Sequence, residues 1–357
     1  MVLTLFSLLS GVAVVCITPT AKPAGATEVL AQTSTKQKAQ ADQLLKQGIE
    51  NLKSRQLKTA VQYWQQALKI YQEIGDRQGE GECLSLLGFA YNTVGQNEKA
   101  VEFLQQSLVI SREIGNRRME VNSLNLLGDG YYNLKQYQQA IEAHEQLLAI
   151  ARETSDRSQE ASSLNKLGVA YKNLKEYEKA VELYQQSIVI RAEIGDRKSI
   201  AGSLTNLGNA YDFLGEYEKA IKAYQQSVAV FRKIGDRQGE AQSLNHLGDA
   251  YMSLRESEKA IEAYQQSVAV FRKIGDRQGE AQSLNNLGSA YSSLGEYEKA
   301  IEVHQQSLAI GKKIEDPQKI ATSLNSLGIA YYILDLSLYN YKKLVNPYHV
   351  RILAIFR

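Results

Sequence analysis

Cysteine, histidine and proline are scarce in this chain of 357 residues. It has two cysteines, Cys16 and Cys83, four histidines and four prolines. Two cysteines exclude a disulfide scaffold and a multi-cysteine zinc site. So few ligating side chains predict neither a bound metal ion nor a cofactor. Four prolines also give too few chain breaks for a domain that is built from many loops.

An excess of charge of either sign is missing as well. Lys and Arg total 41 and Asp and Glu total 39, which gives a net charge of +2. The chain therefore lacks the electrostatic footprint of a protein that binds nucleic acid or an anionic membrane. No segment matches a nucleotide-binding loop, a zinc-protease helix, a nucleophile elbow or a calcium-binding loop. The sequence predicts a protein that is not an enzyme and takes no small-molecule substrate.

An apolar run opens the chain. It covers residues 2–17 and is followed by two segments of the small-x-small kind, at 24–26 and 29–31, a pattern typical of export-signal cleavage sites. The run is shorter than the ~20 apolar residues of a membrane span. We expect residues 1–31 to be a cleaved export signal, which makes the protein periplasmic or extracellular, with a membrane-tethered protein as the alternative. Residues 32–37 are expected to be a linker.

A 40-residue repeat accounts for most of the chain. One glycine recurs every 40 residues without an insertion, and from Tyr91 to Tyr331 a tyrosine follows it by three residues. Apolar residues at spacings of three and four predict two helices per unit, as over 281–294 and 297–314. Glycine inside a helix costs about 1 kcal/mol relative to alanine, so its recurrence predicts close approach of a neighbouring helix. The repeated glycines are Gly48, Gly88, Gly128, Gly168, Gly208, Gly248, Gly288 and Gly328.

The turns of each unit have their own signals. Between units, the sequence IGDR supplies a glycine that ends one helix and an aspartate that caps the next. It occurs at 74–77, 194–197, 234–237 and 274–277. Between the two helices of a unit, a glycine is predicted to end the first helix. Gly95, Gly215 and Gly295 occupy that position, and Lys135, Lys175 and Arg255 replace it elsewhere.

The segments 206–220 and 286–300 share the pattern N-L-G-x-A-Y-x-x-L-G-x-Y-x-x-A. This pattern resembles the tetratricopeptide repeat, in the 40-residue variant of the arrays of kinesin light chains and Pins/LGN-type modulators. The resemblance covers residues 38 to about 332. It implies an all-α, right-handed superhelical solenoid of antiparallel helix pairs. One pair cannot bury its apolar face alone, so neighbouring pairs must stack.

The repeat ends before the chain does. Seven full units occupy 38–317, and 318–334 matches the first helix of an eighth. Residues 335–357 depart from the pattern as an aberrant tail, and we interpret it either as a truncation or frameshift or as a divergent cap. Solenoids usually need a terminal cap with a polar outer face. Without one, the apolar edge at 318–334 suggests end-to-end self-association.

The resemblance also implies that a peptide binds in the concave groove that the first helices line. Asparagine recurs at one groove position, and its amide can both donate to and accept from the backbone of an extended peptide. Two alternatives stay open: these asparagines hold the peptide, or they bond only within the array. Other groove positions vary and are predicted to select the peptide. The predicted peptide-binding residues are Asn125, Asn165, Asn245, Asn285, Phe89, Asp129, Tyr132, Val169, Lys172, Asn209, Asp212 and Asp249.

The histidines and Cys83 are the remaining candidates for catalysis or metal binding, and their positions in the repeat favour other roles. His144 and His304 occupy the second-helix position that holds tyrosine in other units, so they are predicted to be packing residues. Cys83 replaces a recurrent serine and is predicted to pack as a small residue. His246 replaces an asparagine and is expected to be solvated.

The sequence thus predicts an exported, non-catalytic scaffold that binds protein or peptide segments in its groove. One alternative is the sensor half of a larger protein that also carries an effector, such as a caspase-like (CHAT) protease. A self-assembling solenoid is another.

Overall fold

The computed structural model describes residues 24–355, and side chains within 32–336. The expected export segment lies outside the described residues except for 24–31. The described part is all helical and has fifteen α-helices. They are α1 (Ala24–Lys53), α2 (Leu57–Ile74), α3 (Arg77–Thr93), α4 (Asn97–Glu113), α5 (Arg117–Asn133), α6 (Tyr137–Glu153), α7 (Arg157–Asn173), α8 (Tyr177–Ile194), α9 (Arg197–Phe213), α10 (Tyr217–Ile234), α11 (Arg237–Ser253), α12 (Ser257–Ile274), α13 (Arg277–Ser293), α14 (Tyr297–Lys313) and α15 (Pro317–Ile355).

Consecutive helices pack against each other along the whole array. First helices of neighbouring units, such as α9 and α11, also contact each other directly, whereas consecutive second helices make no comparable contact within the described residues. First helices are therefore closer together than second helices. The array curves with its first helices, the odd-numbered ones, on the inner, concave side. The expected solenoid of helix pairs is confirmed.

The predicted turns are confirmed at the level of single hydrogen bonds. Gly235 has φ 77° and ends α10, and Asp236 then accepts a hydrogen bond from the backbone N–H of Gly239 at 3.0 Å. The turn inside a unit uses the same left-handed backbone, with φ 77° at Gly295 and φ 60° at Arg255. A side chain in this region costs roughly 1 kcal/mol, which explains the preference for glycine there.

The recurrent mid-helix glycine marks the closest contact of each pair, as predicted. A Cβ built on Gly208 lies 2.5 Å from the ring of Tyr224, and one on Gly88 lies 2.4 Å from Leu104. In every full unit, the side chain that fills this space comes from the second helix, sixteen residues after the glycine. For Gly328 no described atom lies within 4 Å of such a Cβ.

Two polar ladders join neighbouring units. Ser227 Oγ donates to the carbonyl of Ala201 at 2.9 Å and lies 3.0 Å from Ser243 Oγ. Glu240 is only 1% exposed, yet it accepts from Arg232 at 2.7 Å and from Arg237 at 2.6 Å. Burial alone raises the pKa of Glu240, but the two arginines outweigh it and lower the pKa.

The arginine–glutamate contact is not present at every junction, and the α8–α9 junction lacks both partners. Between α8 and α9, Ala192 and Ile200 occupy the positions of Arg232 and Glu240. Both charges are lost together, so no buried carboxylate is left without a partner, which is the costly outcome.

The ends differ from the expected boundaries. Residues 32–37, expected as a linker, lie within α1, because no proline or glycine interrupts that segment. Residues 335–355 of the aberrant tail continue α15, and Asp335 stands where other units have a glycine, lysine or arginine in the left-handed turn. Among the described helices, none is both long enough and apolar enough to cross a bilayer.

Candidate functional site

All twelve predicted groove residues lie on first helices, from α3 to α13. They therefore share the concave side of the array. Phe89 and Asp249 are exposed, and the other ten are half-buried. The structure brings neighbouring members of this set together along the groove, one first helix after another.

The recurrent asparagines use their side-chain oxygens inside the array. Asn125 Oδ1 accepts from Lys166 Nζ at 2.9 Å, Asn165 Oδ1 accepts from Ser203 Oγ at 3.1 Å, and Asn285 Oδ1 lies 3.0 Å from His304 Nδ1. Asn245 Oδ1 is buried and has no partner among the described residues. None of the four side-chain amide nitrogens has a hydrogen-bond partner within residues 32–336. This row therefore offers donors to a ligand.

A further groove position was not among the predicted residues. It lies two places before the recurrent glycine, and in three units its side chain bonds to the preceding first helix. Lys166 Nζ contacts Asp129 Oδ1 at 2.6 Å, and Asn286 Nδ2 contacts Asp249 Oδ1 at 3.3 Å. The signal was available, because this position changes from unit to unit as strongly as the predicted ones. It holds Leu86, Leu126, Lys166, Asn206, His246 and Asn286.

Second helices also contribute to the groove. Tyr224 OH donates to Asn209 Oδ1, and Tyr264 OH donates to Asp249 Oδ1, both at 2.6 Å. Burial raises the pKa of both tyrosines, so they remain neutral donors. They reach the concave side because glycine leaves the space above the ring open. Sequence reasoning assigned these tyrosines to packing alone.

A cluster of ionisable groups lies at the middle of the groove. The expectation that His246 is solvated is wrong: its ring stacks on Tyr224, with centroids 5.5 Å apart. Burial lowers the pKa of His246, and Asp249 and Asp212 oppose this shift. Burial, reinforced by the charge of Asp249, raises the pKa of Asp212. Asp212 Oδ1 is buried without a hydrogen-bond partner among the described residues.

The groove widens beside this cluster. A cleft of about 580 Å³ lies between α11, α13 and α15 and is lined by Asn245, Asp249 and Asn286. A smaller cleft of about 270 Å³ lies between α3 and α5. Across the described residues, no three His, Cys, Asp or Glu side chains are placed to hold a metal ion.

The remaining singled-out residues pack as predicted. His144 and His304 are 2% and 1% exposed and lie against Gly128 and Gly288. Burial, assisted by the charge of Lys166, lowers the pKa of His144 to about 3. Cys83 is fully buried, and burial followed by the charge of Glu82 raises its pKa, which disfavours the reactive thiolate.

The family follows from these observations and from sequence comparison. The sequence model of the tetratricopeptide repeat matches residues 51–113, 119–193, 159–233, 199–273, 239–313 and 279–337, more than half of the chain. The chain belongs to the tetratricopeptide repeat family. No curated protein matches it in a sequence search.

Solved structures share the fold. A putative kinesin light chain with nearly identical repeats from Podosopora anserina is 28% identical, with a TM-score of 0.49, over 55% of this chain and 96% of that one. A signal transduction ATPase with a tetratricopeptide repeat sensor from Pyrococcus horikoshii is 17% identical (TM-score 0.60; 86% of this chain, 49% of that one). A Rap protein complexed with Competence and Sporulation Factor is 16% identical (TM-score 0.50; 88% and 99%).

Proposed function

We propose that this protein is an exported, non-catalytic interaction scaffold whose concave groove binds an extended peptide segment of a partner protein. The observation that carries the proposal is the row of amide donors on Asn125, Asn165, Asn245 and Asn285, whose oxygens are engaged or buried while the nitrogens stay without partners within residues 32–336. The structurally similar Rap protein is complexed with Competence and Sporulation Factor. That similarity supports a protein-binding role.

The spacing of the row suits a peptide backbone. Packed helices are ~8–10 Å apart. A polyproline II segment repeats every three residues, or ~9 Å. One backbone carbonyl in three then faces the array, and each can accept from one asparagine except at Thr205, which interrupts the row. Recognition through carbonyls is independent of the side chains of the peptide, which leaves selection to the variable groove positions.

Selection from a random 12-residue peptide library displayed on phage tests this proposal. The wild type is compared with a variant in which Asn125, Asn165, Asn245 and Asn285 are all changed to Ala. The matched control changes four exposed second-helix glutamines to Ala: Gln66, Gln106, Gln186 and Gln226. We expect the wild type and the control to enrich peptides at least tenfold more than the asparagine variant. Equal enrichment by all three proteins, with helical circular dichroism intact, contradicts the proposal.

The absence of catalysis and the export are parts of the same proposal. Buried Cys83 and the packed histidines offer no exposed nucleophile or base. Export is tested by expressing the full chain with a C-terminal tag in a Gram-negative host and sequencing the N-terminus of the periplasmic fraction. A new N-terminus near residue 27 or 32 supports cleavage, whereas tagged protein found only in the cytoplasm contradicts export.

A second candidate function is the sensor part of a larger signalling protein. The similarity to the Pyrococcus horikoshii ATPase favours it, since the match takes in 86% of this chain and about half of the length of that one. Reading the genomic DNA downstream of codon 357 in all frames tests this candidate. A resumed repeat or an effector domain supports it, and unrelated sequence argues against it.

Self-association is a third candidate, and exposed apolar residues on α15 favour it. Leu324 is 52% exposed, Ile329 51% and Tyr332 70%. Light scattering over a hundredfold range of concentration tests it, and a monomer at every concentration excludes it.

A further inference from the structure

The array contains two copies of one arrangement, and only one copy is complete. Asn125 and Asp129 on α5 stand three units before Asn245 and Asp249 on α11, at identical positions of the repeat. In the first copy, which we call the filled site, Lys166 Nζ bonds to Asn125 Oδ1 at 2.9 Å and to Asp129 Oδ1 at 2.6 Å. The ammonium thus bridges an amide oxygen and a carboxylate.

The second copy, which we call the open site, lacks this ammonium. Asn286 occupies the position of Lys166 and reaches Asp249 Oδ1 only with a neutral amide, at 3.3 Å. Tyr264 OH donates to the same oxygen, whereas Oδ2 of Asp249 accepts no hydrogen bond from the described residues. Asn245 Oδ1, the counterpart of the oxygen that Lys166 contacts, is buried and unpartnered there. A buried acceptor without a donor is destabilising, so this oxygen favours a ligand that can donate to it.

Charge at the open site is also uncompensated. Asp212 on α9 adds a second carboxylate that is electrostatically coupled to Asp249. Neither carboxylate forms an ion pair within residues 32–336. Burial holds the pKa of the adjacent His246 below its usual value, so this imidazole is neutral at pH 7. Lys319 lines the same cleft, but its ammonium bonds to Gln282.

Asp212 shows that the open site lacks a hydrogen-bond donor. At the same position of an earlier unit, Asn92 donates its Nδ2 to the carbonyl of Leu126 at 2.9 Å. An ionised aspartate has no hydrogen to donate, so Asp212 cannot make the equivalent bond. Its Oδ1 is buried and needs a donor. The side chains at this site are therefore acceptors in excess, beside a cleft that is large enough to admit a ligand side chain.

We propose that Asn245 and Asp249 form a subsite for a lysine or arginine side chain of the peptide in the groove, with Asp212 adding negative charge beside it. This inference rests on the proposed function and names one feature of its ligand. The ligand cation occupies the place that Lys166 takes in the filled site. A metal ion is a poorer occupant, since no three His, Cys, Asp or Glu side chains converge among the described residues. The cation gains charge-assisted hydrogen bonds, which are roughly twice as strong as neutral ones.

The filled site supplies the decisive variant. Asn286→Lys copies Lys166 and places an internal ammonium on Asp249, so the subsite becomes occupied by the protein itself. Asp249→Asn removes the negative charge with little change in shape. The matched control is Glu262→Gln, which removes an exposed carboxylate on the second helix of the same unit, outside the groove. Circular dichroism and thermal unfolding verify that each variant folds.

The random 12-residue library described above is the probe. We expect wild-type protein and Glu262→Gln to enrich peptides that share a lysine or arginine at one aligned position. Asn286→Lys and Asp249→Asn are expected to return that position to the library frequency. A selected peptide, labelled for fluorescence anisotropy, is then compared with its norleucine analogue. The wild type should favour the cationic peptide at least tenfold, and Asn286→Lys should bind the two within twofold.

The possible failures are distinct. If the wild type enriches peptides no more than the variant in which all four asparagines are changed to Ala, the proposed function fails and the subsite inference fails with it. If peptides are enriched without a cationic position, or if Asn286→Lys keeps the full preference, the groove binds peptides and the subsite inference is overturned.

Discussion

The two faces of a first helix such as α11 behave differently. Contacts on its packed side recur along the array: Gly248 lies against Tyr264, as the glycine of each full unit lies against a second-helix side chain. Tyr251 OH accepts from Gln225 at 3.0 Å, and most other units have the same bond. Contacts on its concave side differ between units. Asp249 accepts from a tyrosine and an amide, whereas Asp129 at the same position accepts from a lysine.

This difference separates two tasks within one helix. Recurring contacts hold neighbouring units in a fixed relation, so their loss lowers stability wherever it occurs. The contacts that differ give each unit its own groove surface. Substitutions on the packed side should therefore change the free energy of unfolding, and substitutions on the concave side should change the peptides that bind.

The largest loss of stability is expected from Gly208→Ala, a substitution on the packed side. The new Cβ would lie 2.5 Å from the ring of Tyr224, which is buried and cannot move aside. Overpacking of this kind costs about 2–3 kcal/mol. Gly328→Ala is the matched control, because no described atom lies near its Cβ; it should gain up to about 1 kcal/mol from helix propensity. Urea unfolding followed by circular dichroism measures both, and equal effects would remove the packing explanation.

A junction of the array is the next test. Arg232→Ala leaves the buried carboxylate of Glu240 with Arg237 alone, and we expect a loss of about 2 kcal/mol. Adding Glu240→Ile copies the natural α8–α9 junction, where Ala192 and Ile200 occupy these two positions. The double variant should recover most of the loss in urea unfolding. No recovery would show that the two junctions are not interchangeable.

Low pH should destabilise the units that have histidine in place of the second-helix tyrosine more than the units that have the tyrosine. The pKa of His144 is about 3 in the folded chain and ~6.5 when unfolded. Because the unfolded state binds the proton more tightly, the stability present above pH 6.5 is lost as the pH falls toward 3. We expect a loss of about 1–2 kcal/mol at pH 5 relative to His144→Tyr, which copies the tyrosine units. Thermal unfolding of both proteins at pH 5 and pH 8 measures it, and parallel pH profiles would contradict it.

The smallest effect is expected from Tyr251→Phe. The hydrogen bond from Gln225 to Tyr251 OH is exposed to solvent, and its loss should cost about 0.5 kcal/mol. Urea unfolding again provides the measurement, with the selected peptide binding as before. A change in peptide affinity would show that the packed side also shapes the groove.

The sequence alone predicted the parts of the fold that each unit repeats. Gly235 and Asp236 specify a turn through backbone conformation and a local cap, which depend on neighbours in the chain. The close contact at Gly208 was also predictable, because a glycine inside a helix lowers the stability of the helix unless a neighbouring helix packs closely against it.

The details of the groove could not be predicted in this way. Lys166 meets Asn125 and Asp129, which lie 41 and 37 residues earlier. Such contacts depend on how far successive first helices are shifted and rotated, and a repeat length does not specify either quantity. The misassignment of His246 has the same origin, because its partner Tyr224 belongs to the preceding unit.

Among the fifteen described helices, substantial contacts join only those that are one or two apart in the chain, and this has a mechanical consequence. Tension applied to the two ends of this array meets no described contact that ties distant units together. The array should therefore yield stepwise, one hairpin after another, starting from an end. Each 40-residue step releases ~14 nm of contour length. The molecule can therefore lengthen under tension by unfolding one hairpin while the others stay folded.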